Sequence, residues 1–93
     1  MSDETKYSLV AADQYKRVLK KLRRKNSALV LGIDKAVERI LYNPEFGKPL
    51  RHSLRNYRRV HIEGSFVLLY EINQQEIRLV DFDHHDRIYK KYM

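Results

Sequence analysis

The 93-residue chain contains no cysteine. That removes disulfides, a thiolate nucleophile and any Cys-ligated zinc or iron–sulfur site, and it agrees with a reducing, cytoplasmic setting. Glycine is nearly as scarce: three residues cannot build a glycine-rich phosphate loop, and Walker, dinucleotide, zincin and EF-hand patterns are missing. No metal and no cofactor is expected. No apolar run approaches the roughly 20 residues that span a bilayer, and the acidic start MSDETKYSLV lacks the positive end and apolar centre of a signal peptide. The expectation is a cytoplasmic protein that does not engage a membrane. Repeats, low-complexity segments and linkers are also missing, so residues 1–93 are expected to form one domain around a two-layer core.

Acidic residues are in deficit, with 12 Asp and Glu against 19 Lys and Arg, for a formal charge of +7. A hydrophobic content of 43% is that of a folding domain, so the charge belongs on its surface and favours a polyanionic partner. Residues 11 to 60 hold 14 basic and only 4 acidic side chains, which places the whole excess in one block.

Tyr7 to Val10 is a short apolar run that reads as a first strand. From Ala12 the period becomes helical: Tyr15, Val18, Leu19 and Leu22 share a face, with Lys16, Arg17, Lys20, Lys21, Arg23 and Arg24 around the rest. Asn26 and Ser27 punctuate the pattern and offer an N-cap, after which Val30, Ile33, Val37, Ile40 and Leu41 resume an apolar stripe. Asn43-Pro44 stops this second helix, and a loop runs through Gly47 and Pro49. Alternation then takes over. Val60 and Ile62 face one way and Arg59 and His61 the other; Glu63-Gly64-Ser65 turns the chain; Phe66 to Ile72 and Ile77 to Asp83 make two further strands around Asn73-Gln74-Gln75. Arg87 to Tyr92 reads as a short terminal helix or tail. The predicted architecture is α+β, β-α-α-β-β-β, with a helical hairpin packed on one face of a small antiparallel sheet and the other face left for solvent or a ligand.

The basic first helix is a weak functional signal, since amphipathic helices ordinarily carry a charged face to water, and its apolar stripe is core. His84 and His85 are adjacent; on a strand they would point to opposite faces and could not easily share a metal. More informative is PLRHSLRNYRRVH, in which Arg51, His52, Arg55, Arg58, Arg59 and His61 accompany Tyr57. Planar, multiply donating cations suit phosphates, and an aromatic offers a base something to stack on, so this composition fits RNA or single-stranded DNA.

Two helices, the loop Pro49-Leu50-Arg51, then Leu54, Tyr57, Arg59-Val60-His61, Phe66, Tyr70-Glu71-Ile72 and the closing His84-His85-Asp86-Arg87-Ile88-Tyr89-Lys90 follow one another along nearly the whole chain. In that order and spacing the sequence resembles the RelE/ParE superfamily of toxin–antitoxin toxins, nearest its RelE-like branch. The resemblance implies a metal-independent endoribonuclease that enters the ribosomal A site and cuts mRNA, inhibiting translation, held in check by a RelB-like antitoxin in a hetero-oligomer. The 2′-OH would attack the adjacent phosphate, expel the 5′-oxygen and leave a 2′,3′-cyclic phosphate. By the same resemblance the catalytic set is Arg59, His61, His84, His85 and Tyr89. An imidazole can serve as base or acid because it changes protonation near neutrality. Arg51, Arg55, Arg58, Lys20, Lys21, Arg24 and Lys90 are expected to hold RNA. Two positions depart from the family pattern: Val67 stands where an arginine is common, and His85 replaces the arginine of an HRDD-like segment, with Arg58, Arg78 or Arg87 as candidate substitutes. The alternatives are a ParE-type inhibitor of DNA gyrase and an RNA- or partner-binding member with a weakened catalytic set.

Overall fold

Helix α1 (Asp13–Lys25) and helix α2 (Ser27–Tyr42) are separated by a single residue. That residue, Asn26, serves both: its N–H closes α1 on the Leu22 carbonyl, and its side-chain oxygen accepts from the Leu29 N–H at 3.2 Å. The computed structural model describes residues 7–51 and 56–92. On α1 the buried residue is Tyr15, with Val18, Leu19 and Leu22 packed at the core margin as their spacing predicts. Arg23, Arg24 and Lys25 occupy its last turn, where the helix dipole favours cations. On α2 the buried stripe is Leu29, Ile33, Ala36 and Ile40, while Val30, Val37 and Leu41 are only half-buried. The face is therefore turned slightly from the predicted one, toward the side on which small Ala36 admits a close approach.

Past α2, Pro44–Phe46 forms one 3-10 turn, with the Asn43 side chain accepting from the Glu45 N–H. The loop foreseen through Pro49 contains a two-residue strand, β2 (Lys48–Pro49), opposite Arg59 and Arg58. Strands β3 (Tyr57–Ile62), β4 (Phe66–Asn73) and β5 (Glu76–His84) form the expected antiparallel meander. Its tight turns place Glu63, Gly64 and Gln74 at φ of 54°, 80° and 57°, the left-handed region that glycine enters without a steric penalty.

Strand β1 (Ser8–Ala11) lies parallel to β5 at the opposite edge from β2, so the sheet is mixed, in the order β1-β5-β4-β3-β2. The helices carry the chain over the sheet, and β1 is left beside the last strand instead of its sequence neighbour. One face of the sheet packs Val60, Ile62, Leu68, Tyr70, Ile77, Leu79 and Phe82 against α1 and α2. The other face, expected to be open, is partly roofed by helix α3 (His85–Tyr92). Ile88 is fully buried there, and Leu50, Leu69 and Val80 cluster with Tyr57 and Tyr92. β4 is thus buried on both sides from Val67 to Tyr70. Each such aliphatic side chain contributes about 1.5–3 kcal/mol by leaving water. Among the described residues no helix is long and apolar enough to cross a membrane.

A register shift beside Leu69 pairs it with Asp81 while Tyr70 pairs with Leu79, so Val80 is an extra residue on β5. Such a bulge turns two consecutive side chains to one face. Here they are Val80 and Asp81, one packing with Tyr92 and the other hydrogen-bonded to it.

Candidate active site

Asp81 is fully buried, yet both of its oxygens are engaged: one takes the Phe82 N–H at 2.8 Å, the other takes Lys91 Nζ and the Tyr92 hydroxyl, each at 3.0 Å. Lys91 also reaches Asp83 at 3.2 Å, and Arg87 pairs with Asp83 at 3.2 Å. Partial burial opposes the Asp83 charge, but the His84 N–H, Lys91 and Arg87 outweigh it and hold its carboxyl below the usual range. Burial likewise opposes the Lys91 ammonium, and the two aspartates prevail and push its pKa up. Burial and the bond to Asp81 push the Tyr92 phenol to about 12. These bonds fix α3 on the sheet and so fix what it carries.

Because β5 ends at His84 and α3 begins at His85, the chain changes direction between the two histidines. Their rings do not diverge, as expected for a continuous strand; they stack at 4.6 Å between centroids, 29° apart. One helical turn on, Tyr89 stands 6.2 Å from the His85 ring and 5.8 Å from the Arg59 guanidinium. A row of aromatic rings runs back into the core through Phe66, 5.8 Å from His84 and stacked on Phe82. Arg59, His84, His85 and Tyr89 are therefore assembled at one rim of the sheet.

Alternation on β3 puts Arg59 and His61 on one face. His61 is exposed and makes no ring stacking with the other four; it borders a groove of about 240 Å³ with Phe46, Gly47 and Lys48. Arg59 Nε is shielded from solvent and meets no acceptor among the described residues. Lys48, which the sequence pattern does not single out, lies directly opposite Arg59 in the β2–β3 register. Like charges at such a pair repel, and an anion between them relieves that. Nothing in the sequence marks Lys48, because a two-residue strand has no period to read.

Arg58, expected to hold RNA, lies on the helical face, and its guanidinium donates to the Glu45 carbonyl at 3.1 Å and the Gly47 carbonyl at 2.6 Å, so it braces the 3-10 turn and is not assembled with Arg59, His84, His85 and Tyr89. Arg78 and Arg87, the other candidate substitutes for the missing clamp at Val67, are paired with Glu71 and Asp83. Arg51, Lys20, Lys21, Arg24 and Lys90 are at least partly exposed. Arg55 and His52 lie outside the described residues.

Residues 6–89 match the family model described as the ParE toxin of type II toxin–antitoxin systems, parDE. A relative from Methanocaldococcus jannaschii named "Putative toxin RelE4" is 40% identical over 87 residues, 91% of this chain and 93% of that protein. In fold the chain is similar to a YoeB/ParE toxin from Agrobacterium tumefaciens, with a TM-score of 0.76 at 17% identity over 84% of this chain and 98% of that one. It is also similar to a chain of the RelBE2 toxin–antitoxin complex from Mycobacterium tuberculosis, with a TM-score of 0.65 at 27% identity over 84% and 96%. A basic, aromatic rim on a five-stranded sheet, in a chain matched almost throughout, makes this protein a member of the RelE/ParE superfamily of toxins of type II toxin–antitoxin systems.

Proposed function

We propose that this toxin is a metal-independent endoribonuclease that cuts mRNA in the ribosomal A site. The observation that carries the reading is Arg59, a guanidinium with a shielded, unpartnered Nε among the described residues, flanked by Lys48 and lying over Tyr89, whose ring neighbours His85. Arg59 and Lys48 would hold the scissile phosphate and offset the charge that builds on it as the 2′-oxygen attacks. Of the three histidines, one accepts the 2′-hydroxyl proton and another returns a proton to the departing 5′-oxygen, leaving a 2′,3′-cyclic phosphate and a 5′-hydroxyl. In the sheet register His61 and His84 lie toward the same end from Arg59, His61 on β3 and His84 at the end of β5, so each is available for one of the two proton transfers. Tyr89 gives a base a ring to stack on or a phosphate a hydroxyl. The partner is an acidic antitoxin that covers this basic rim; the RelBE2 relative is a toxin–antitoxin complex.

Mapping mRNA ends on programmed ribosomes tests the reading. Cleavage with cyclic-phosphate ends is expected, reduced about a hundredfold or more by Arg59→Ala or His85→Gln. Intact mRNA where a related toxin cuts would reject it. The ParE description of the matching family keeps a second reading in play, a gyrase poison. Inhibition of supercoiling with translation untouched would favour it.

A further inference from the structure

The acidic groups around α3 divide into two kinds. Asp81 and Asp83 are committed to Lys91 and Arg87, whereas Asp86, with its side chain 69% exposed, has ionic partners only in imidazoles among the described residues. Its Oδ1 lies 2.9 Å from His85 Nδ1 and its Oδ2 lies 3.8 Å from His84 Nδ1. One donor atom from each of the three residues falls within 4.8 Å of the others. In a tetrahedral zinc site, with bonds near 2.0–2.2 Å, ligand atoms sit about 3.4 Å apart, a spacing that rotation of these three side chains can reach from donors already within 4.8 Å. The strand-to-helix junction that stacks the two rings has thus produced the donor spacing that a continuous strand would forbid.

We propose that His84, His85 and Asp86 form a binding site for a divalent transition-metal ion of the zinc class, and that its occupancy shuts the toxin's catalysis off. Two imidazoles and one carboxylate make a three-ligand set with a fourth position for water. An ion would replace the proton between His85 and Asp86 and the long 3.3 Å bond from the Asp86 N–H to His84 Nδ1. Both histidine side chains are more than a third exposed, so closing on the ion requires side-chain rotation and no movement of the core. The surroundings select against hard cations. Arg59 and the start of α3 are electropositive, and only imidazole ligation offsets that repulsion, so Zn²⁺ or Ni²⁺ binds and Mg²⁺ does not. A bound ion occupies the lone pairs with which His84 and His85 would accept or return a proton. This inhibitory half rests on the ribonuclease reading above; the binding half does not.

The full chain without an affinity tag, titrated with zinc sulfate by calorimetry, should bind one equivalent. His84→Gln, His85→Gln and Asp86→Asn should each weaken binding about tenfold or more, since even partners one shell further out cost that much. His61→Gln should bind as the wild type does, and magnesium chloride should give no signal. No binding, or three variants that bind like the wild type, overturns the site. Zinc should then stop mRNA cleavage on ribosomes, and a zinc-selective chelator should restore it; zinc-bound protein that cuts at the full rate overturns the inhibition. If metal-free protein cuts nothing, the ribonuclease reading falls, and the titration still decides the site.

Discussion

Tyr70 spans 26 residues of sequence to donate its hydroxyl to the Pro44 carbonyl at 2.6 Å, and the same oxygen accepts the Gly47 N–H at 2.8 Å. Burial raises the pKa of this phenol, so it stays a donor at any physiological pH. Tyr70→Phe leaves a buried carbonyl and a buried N–H without partners and should cost about 1–3 kcal/mol in urea unfolding. Gly47 is needed for space, since a Cβ there would meet the Tyr70 hydroxyl at 2.7 Å and the Arg59 carbonyl at 2.8 Å. The neighbouring arginines should separate stability from activity. Arg58→Ala removes the brace on Glu45 and Gly47 and should lower the melting temperature while leaving the salt dependence of RNA binding unchanged. Arg59→Ala removes an unsatisfied donor and a like-charge neighbour of Lys48, so it should be neutral or stabilising while RNA cleavage is lost. A single-residue shift along RR separates the two roles; alternation with the apolar Val60 and Ile62 already put Arg59 on the opposite face, but the carbonyls that Arg58 braces belong to a loop with no period to read.

Among the elements, α3 has the most pH-sensitive attachment. Lys91 has a raised pKa, so its contribution is complete below the ordinary lysine value of about 10.5 and is lost as pH climbs through the folded one. Asp83, held low, contributes above the ordinary carboxyl value and loses its part as pH falls through its folded one. Docking of α3 should therefore be constant across the neutral range and fail at both extremes, with Tyr92 ionising near pH 12 on the alkaline side. Amide exchange of residues 85–92 against pH would show it, and protection unchanged above pH 11 would refute it. Lys91→Ala should expose the same amides at neutral pH and cost about 2 kcal/mol, less than a fully buried pair because the lysine is partly exposed. The helices and the three-stranded meander were legible because a period of 3.6 or 2 records which side faces the core. The parallel partner of β1, the bulge at Val80 and the roof formed by α3 were not, because periodicity names a buried face without naming what covers it. The histidine pair is illegible for a related reason: the element boundary falls between the two residues.

Across the whole molecule the charge is segregated. Lys20, Lys21 and Arg24 lie on α1 with their side chains toward solvent, on the far side of the sheet from the rim that carries Arg59 and Tyr89. Reversing the three to glutamate should slow ribosome association and flatten its dependence on salt, by about 0.7–0.9 in the log–log slope for each phosphate no longer neutralised, without changing the cleavage rate once bound. A stopped-flow series from low to physiological salt separates the two effects. The composition favours a polyanionic partner; the fold divides the basic groups between two distinct surfaces.

The pairing of Ser8 with Glu76 and of Ala11 with Leu79 joins the first strand to the last. During synthesis β1 must wait, unpaired, until β5 has been made, and His84, His85 and Tyr89 follow later still. A nascent chain halted before that point has an open sheet edge and only the Arg59 half of the candidate site. The sheet and the rim that carries these side chains are thus completed together, and a copy truncated before β5 should be proteolysed rather than poisonous.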